Sequence, residues 1–248
     1  MLENNTFHRT AGAYALFRPT YPEALFQWIA SQADRKQVAW DAATGNGQAA
    51  ASLVKCFSRV EATDISEMQI DRAPVIPGVK FSRSASEKTA FPDNHFDAVI
   101  SANGIHWFNL AEFYREVLRV SRPNAVIAVW CYWMPHSSGD KEVDAILKRD
   151  FLPKIDAFWP AATNLARDRY QTLEFPFERL SPPPFTAVSE FSLDTFCGFL
   201  STWSAVSLFR EHRNSDPIAA LRQELAQIWG EKRKISMELF IKAGKVRK

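Results

Sequence analysis

The chain predicts an α/β fold: a mostly parallel sheet with flanking helices, followed by a helical cap. Three observations predict it. Apolar strand-like runs alternate with helical stretches through the first half of the sequence, the order that a parallel sheet with crossover helices requires. Two of those runs end in an acid, Asp41 and Asp64. The first of these acids is followed by small residues at alternate positions, Ala43, Gly45 and Gly47, so the backbone there can lie close against a ligand.

Strand candidates are 38–42, 60–64, 79–82, 96–101 and 125–131, and helices are expected over 22–33, 47–56, 66–72 and 110–121. The last helix carries Leu110, Phe113, Val117, Leu118 and Val120 at helical spacing. Beyond Tyr132 the texture changes: 132–184 mixes charged helical stretches with aromatics and ends in Ser181-Pro182-Pro183-Pro184. Residues 185–191 and 237–246 read as two returning strands. Between them, 194–232 reads as two helices with stripes at Phe196, Phe199, Leu200 and Trp203, then Leu221, Leu225, Ile228 and Trp229. Such stripes are chiefly faces packed on the sheet. The organisation expected is one domain over 1–248, with a ligand-binding core at 1–131, a substrate cap from 132–184 and 194–232, and closing strands at 185–191 and 237–246.

The run Val38-Ala39-Trp40-Asp41-Ala42-Ala43-Thr44-Gly45-Asn46-Gly47-Gln48 carries the first chemistry. It is not the dinucleotide fingerprint G-x-G-x-x-G, because its acid precedes the glycines, where it repels a pyrophosphate and suits a cationic amino group. Asp64 lies 23 residues further on, about one βα unit, where an acid accepts hydrogen bonds from both hydroxyls of a ribose. Helix N-capping is the competing use of both acids. Adenosine joined to an amino acid is the ligand the pair describes.

With these two motifs the chain resembles the class I S-adenosylmethionine-dependent methyltransferases, whose first strand carries Asp-x-Gly-x-Gly-x-Gly and whose second ends in a ribose-binding acid. Ser84-Ala85-Ser86-Glu87 and Phe91-Pro92-Asp93-Asn94-His95-Phe96-Asp97-Ala98-Val99 are similar to the family's adenine-side loop and fourth strand, and Ser121-Arg122-Pro123-Asn124-Ala125-Val126 to the turn into its fifth. The resemblance implies a Rossmann-like seven-stranded sheet, S-adenosyl-L-methionine as cofactor, and cofactor contacts from Asp41, Ala43, Gly45, Gly47, Gln48, Asp64, Ile65, Ser86 and Asn103. Tyr14-Ala15-Leu16-Phe17-Arg18-Pro19-Thr20-Tyr21-Pro22, His106-Trp107-Phe108 and Thr202-Trp203-Ser204 are similar to the trans-aconitate methyltransferase-like branch, which implies esterification of a small carboxylic acid. Two positions depart from the family. Ala43 replaces its first glycine, at about 1 kcal/mol if φ there is positive. Pro123-Asn124-Ala125 replaces its Pro-Gly-Gly turn, and asparagine tolerates the left-handed conformation.

On the substrate side, Tyr14 and Arg18 lie one helical turn apart. A guanidinium holds a carboxylate bidentately and a phenol adds a donor; the carboxylate is either the cofactor's or the substrate's. His106 lies in the loop bordering the departing methyl group, and Tyr21, Trp107, Tyr132, Trp133 and Trp203 are expected to line the pocket, with Trp203 closing it. A carboxylate is already ionised at neutral pH. An alcohol, amine or carbon acid needs a base, for which His106 is the candidate. A cofactor-binding module without turnover is the non-enzyme alternative, with Ala43 as its motive.

Composition excludes other classes. With 248 residues, 46% hydrophobic and 23% charged, the chain can bury a large core. Its net charge of +2 points to no nucleic acid, and the place of the Asn/Asp-Pro-Pro-aromatic motif of amine-methylating nucleic-acid enzymes holds Ser101-Ala102-Asn103-Gly104. Cys56, Cys131 and Cys197 are odd in number and widely spaced, which fits a reducing compartment. His8, His95, His106, His136 and His212 show no ligand spacing, so no metal is expected. The polar start and the lack of a long apolar run predict a cytoplasmic location and no membrane contact. No obligate protein partner is evident.

Overall fold

A computed structural model of the chain describes residues 19–138 and 141–248. Nine strands are present: β1 (Val38–Ala42), β2 (Arg59–Asp64), β3 (Val79–Arg83), β4 (Phe96–Ala102), β5 (Ser121–Cys131), β6 (His136–Ser137), β7 (Glu178–Leu180), β8 (Phe185–Phe191) and β9 (Arg233–Lys245). They pair in the order β3-β2-β1-β4-β5-β9-β6, with β7 and β8 also on β9. Strands β1 to β5 are mutually parallel and β9 runs antiparallel to β5. All seven expected strands are there. The two additions, β6 and β7, are too short to show any period.

The order follows from burial. Every residue of β1 is buried, as a strand covered on both faces must be. At its centre Trp40 is fully covered, stacked on Phe96 and flanked by Phe91 and Phe113, with ring centroids 5.8–6.0 Å away. Its indole N–H donates to Thr63 Oγ1 on β2 at 2.8 Å. Asp97 on β4 is buried and accepts from the backbone N–H groups of Gln37 (2.8 Å) and Val38 (3.0 Å) and from Arg122 (2.6 Å). It ties β4 to the start of β1.

The helices flanking this sheet are α1 (Glu23–Gln32), α2 (Gln48–Leu53), α3 (Glu67–Asp71) and α4 (Leu110–Val120). Asn109 caps α4 by accepting from the Glu112 N–H at 3.4 Å, and Phe113, Tyr114, Val117 and Val120 form its buried face. Leu118, expected in that stripe, is 39% exposed. Asn124 adopts φ 64°, so the turn into β5 survives without glycine.

The chain divides into two compact units. The sheet unit comprises 21–133, 164–186 and 238–248. The stretch 164–184, expected in the cap, packs with the sheet instead: Ala166, Tyr170, Leu173, Phe175 and Phe177 belong to the same buried cluster as Trp40 and Phe113, and the Tyr114 hydroxyl donates to the Glu174 carbonyl at 2.6 Å. The second unit includes 141–163 and 187–237. It contains α5 (Lys141–Ile146), α6 (Leu193–Ser201), α7 (Ser204–Arg213) and α8 (Pro217–Ala226). Three helices therefore fill 194–232 where two were expected. The additional break comes at Thr202, which ends α6, and Trp203, whose extended backbone (φ −73°, ψ 136°) precedes α7; between α7 and α8 the chain turns at Asn214 (φ 48°) and at Asp216, whose carboxylate accepts from the Ile218 N–H at 3.0 Å, with Pro217 at the first helical position.

Candidate active site at the carboxyl edge of the sheet

Chain reversal after β1 uses left-handed backbone at every second residue: Ala43 at φ 57°, Gly45 at φ 57° and Gly47 at φ 90°. This is the physical content of the alternating small residues. At Gly47 a Cβ would also lie 2.5 Å from Phe81 Cζ, so only glycine fits. Ala43 carries the strain that the sequence implied, and Gly104 makes room for its methyl group, since a Cβ at 104 would lie 2.9 Å from Ala43 Cβ. Changing Ala43 to glycine removes about 1 kcal/mol of left-handed strain. The expected result is a higher thermal midpoint with cofactor affinity kept or improved; a lower midpoint would mean that the methyl group is packed for structure.

Asp41 sits within this turn, fully buried. Thr44 Oγ1 donates to its Oδ2 at 2.6 Å, while Oδ1 has no hydrogen-bond partner among the described residues. Burial pushes the carboxyl up to about 7, against the lowering effect of the Thr44 hydroxyl. A carboxylate so placed calls for a cation or a donor. Ser101 Oγ, buried on β4, likewise has no partner among the described residues and would be 2.7 Å from a Cβ at Gly104.

Asp64 ends β2 and organises its neighbours. Its Oδ2 accepts from the Gly45 N–H at 2.9 Å and its Oδ1 from the Ser66 N–H at 2.8 Å. A carboxylate oxygen can accept from more than one donor. Beside it Ile65 is 55% exposed, an apolar surface at the strand end. Gln48 opens α2 and is half-buried, and Ser86 is buried. Glu87 is not merely solvated, because its Oε1 accepts from the Asn109 N–H at 3.0 Å and holds the start of α4.

Past β4 and β5, Asn103, His106, Trp107, Tyr132 and Trp133 belong to the sheet unit, as does Tyr21. Asn103, at φ 53°, has its Nδ2 2.9 Å from the Tyr21 hydroxyl and its Oδ1 3.2 Å from the Tyr132 N–H. His106 Nδ1 lies 3.1 Å from the Tyr170 hydroxyl, and its ring centroid is 5.2 Å from that of Trp107. The Arg167 guanidinium lies 5.9 Å from the Trp133 ring centroid. Tyr170 is the residue that sequence reasoning missed. It is fully buried, and burial holds its phenol well above the ordinary tyrosine range, so it stays neutral. Trp203 belongs to the second unit and is nearly covered, with Phe151, Trp159 and Phe199 rings 5.5–6.0 Å away. Its indole is core of that unit. Tyr14 and Arg18 lie outside the described residues.

A methyltransferase-domain profile matches residues 40–129, the stretch that holds both acids and the glycine turn. The solved structure of a candidate type II methyltransferase from Anaeromyxobacter dehalogenans is 36% identical, with a TM-score of 0.85, over 93% of this chain and 99% of that one. The chain belongs to the class I S-adenosylmethionine-dependent methyltransferases. A candidate methyltransferase from Dictyostelium discoideum is 28% identical over 91% of this chain and 87% of its own length. A Bacillus halodurans structure, 17% identical with a TM-score of 0.51, shares the fold.

The donor set of this methyltransferase suits the cofactor that its family uses. A buried carboxylate with an open oxygen matches a cationic amino acid end, Asp64 matches a diol, and exposed Ile65 matches an apolar ring face. Among the described residues no group of His, Cys, Asp and Glu side chains gathers that can hold a metal ion. No helix among them is long and apolar enough to cross a membrane.

Proposed function

We propose that the enzyme transfers a methyl group from S-adenosylmethionine to a carboxylate oxygen of a small acid, the reaction of the trans-aconitate methyltransferase-like branch. One observation carries this reading. The described residues expected on the acceptor side, Tyr21, His106, Trp107, Tyr132 and Trp133, bring donors and aromatic faces, and the cationic Arg167 guanidinium lies 5.9 Å from the Trp133 ring centroid. That lining suits an anion.

In this reading Asp64 holds the ribose hydroxyls, Asp41 faces the cationic amino acid end, and Ile65 with the Ser86 backbone borders the adenine. Gly45 and Gly47 allow the backbone to approach. The cofactor supplies a methyl carbon on a sulfonium, which leaves without needing a proton. What remains for the protein is alignment and control of the nucleophile's charge. An ionised carboxylate needs no base, so His106, held at Nδ1 by Tyr170, orients the acceptor. Arg18 and Tyr14 clamp a carboxylate, the acceptor's or the cofactor's own.

The contact between His106 and Tyr170 also favours a second reading, in which a fixed imidazole takes a proton from an oxygen, nitrogen or carbon nucleophile. Two measurements separate the readings. Transfer of a labelled methyl group to a panel of small mono-, di- and tricarboxylic acids is expected, at a rate flat from about pH 6 to 8, with Arg18→Ala raising the acid's KM strongly. A rate that climbs through about pH 6.5 and loses that limb in His106→Ala would assign base catalysis instead.

A further inference from the structure

The amino edge of the sheet, at the opposite end of β1 from Asp41, gathers a second set of polar groups. Asp34, Arg35, Asn94, Asp97, Arg122 and Asn124 line a cavity of about 400 Å³ there. The two asparagines have a direction that their partners decide. A lysine or arginine nitrogen only donates, so the Asn94 atom 2.6 Å from Lys248 Nζ is the carbonyl Oδ1, and the Asn124 atom that meets the Arg247 guanidinium is its Oδ1 too. Both amide nitrogens therefore keep their protons unspent among the described residues. The cations are likewise underused. Arg122 gives one guanidinium nitrogen to Asp97, at 2.6 Å, and the Arg35 side chain makes no hydrogen bond or ion pair with a described residue. The acids are already engaged: Asp97 accepts from Arg122 and from the Gln37 and Val38 N–H groups, and Asp34 Oδ1 lies 3.6 Å from Lys245 Nζ. What the lining has to offer is donors and positive charge.

We propose that this cavity binds a phosphate-type oxyanion, held by Arg35, Arg122, Asn94 and Asn124. A guanidinium meets phosphate oxygens bidentately, and three phosphoryl oxygens use donors from four side chains more fully than the two oxygens of a carboxylate do. Free phosphate and the phosphoryl group of a larger molecule share this chemistry. The site lies at the other edge from the cofactor residues, and it does not rest on the identity of the methyl acceptor.

Calorimetry at fixed ionic strength, in the presence of S-adenosylmethionine, tests it with inorganic phosphate and glycerol 3-phosphate as probes. Arg35→Gln removes a charge that no described residue uses, and Asn94→Gly keeps the left-handed φ of 52° while deleting the amide. Each is expected to weaken phosphate roughly 10-fold, and Arg35→Gln to leave the thermal midpoint of the free enzyme where it is. Arg72→Gln, which alters an exposed arginine outside the lining, is expected to change neither. Tighter binding of glycerol 3-phosphate than of phosphate assigns the site to a phosphorylated molecule, and equal or weaker binding assigns it to the free ion. No heat of binding from either probe at about 10 mM overturns the inference. So does binding that Arg35→Gln and Asn94→Gly leave unchanged, and so does a loss in Arg72→Gln as large as in Arg35→Gln, the mark of diffuse surface charge.

Discussion

Asp64→Ala is expected to weaken S-adenosylmethionine binding roughly 30- to 150-fold while the chain still folds. A charged acceptor shared by two ribose hydroxyls is worth about 2–3 kcal/mol. The structure adds a second route to the same loss, since the carboxylate also accepts from the Gly45 and Ser66 N–H groups and so shapes the glycine turn that the cofactor would meet. Asp64→Asn separates the two. It keeps an acceptor oxygen but turns a donor toward one of those N–H groups, so a loss in Asn as large as in Ala points to the turn, and a smaller one to the ribose. Calorimetric titration reads both variants, with circular dichroism as the check on folding. Binding that is unchanged in Asp64→Ala would remove the residue from the site.

Most of the sheet was legible because its central strands are covered on both faces and read as apolar runs, the first two of them closing on Asp41 and Asp64. The turn after β1 was legible for a related reason: alternate left-handed residues demand alternate small side chains, and Ala43 keeps that pattern despite its methyl group. What escaped was pairing over long separations. Tyr170 meets His106 across 64 residues, and Glu87 reaches the N–H of Asn109 across 22; no local period announces either contact. The elements of 164–184 are too short to show a period, so nothing local marks Phe175 and Phe177 as core residues packed against Tyr114. The break between α6 and α7 comes at Thr202 and Trp203, the end of the first aromatic stripe, with no glycine or proline to announce it. Asn103 is expected as a cofactor contact, and the partners its side chain meets, Tyr21 and the Tyr132 backbone, lie too far along the chain for any local pattern to announce them.

Asp41→Asn is expected to stabilise the ligand-free enzyme at pH 8 and to change it little at pH 4. Burial raises the Asp41 carboxyl from 3.8 to about 7, so between those values the folded state holds a proton that the unfolded state has released. Stability then falls as pH rises through this window, because the unfolded chain binds fewer protons than the folded one. The whole interval corresponds to about 4 kcal/mol at the upper limit. Asparagine matches the shape and accepts from Thr44 in the same way, but it has no charge to bury, so its stability lacks that decline. The same substitution is expected to weaken S-adenosylmethionine, since the ionised Asp41 that costs stability in the free enzyme is the partner for the cofactor's ammonium group. Urea unfolding of both proteins at pH 4 and pH 8, with and without cofactor, measures each effect. Parallel pH dependences in the ligand-free proteins would show that Asp41 is ionised throughout, and equal cofactor affinities would show that its charge faces no cation.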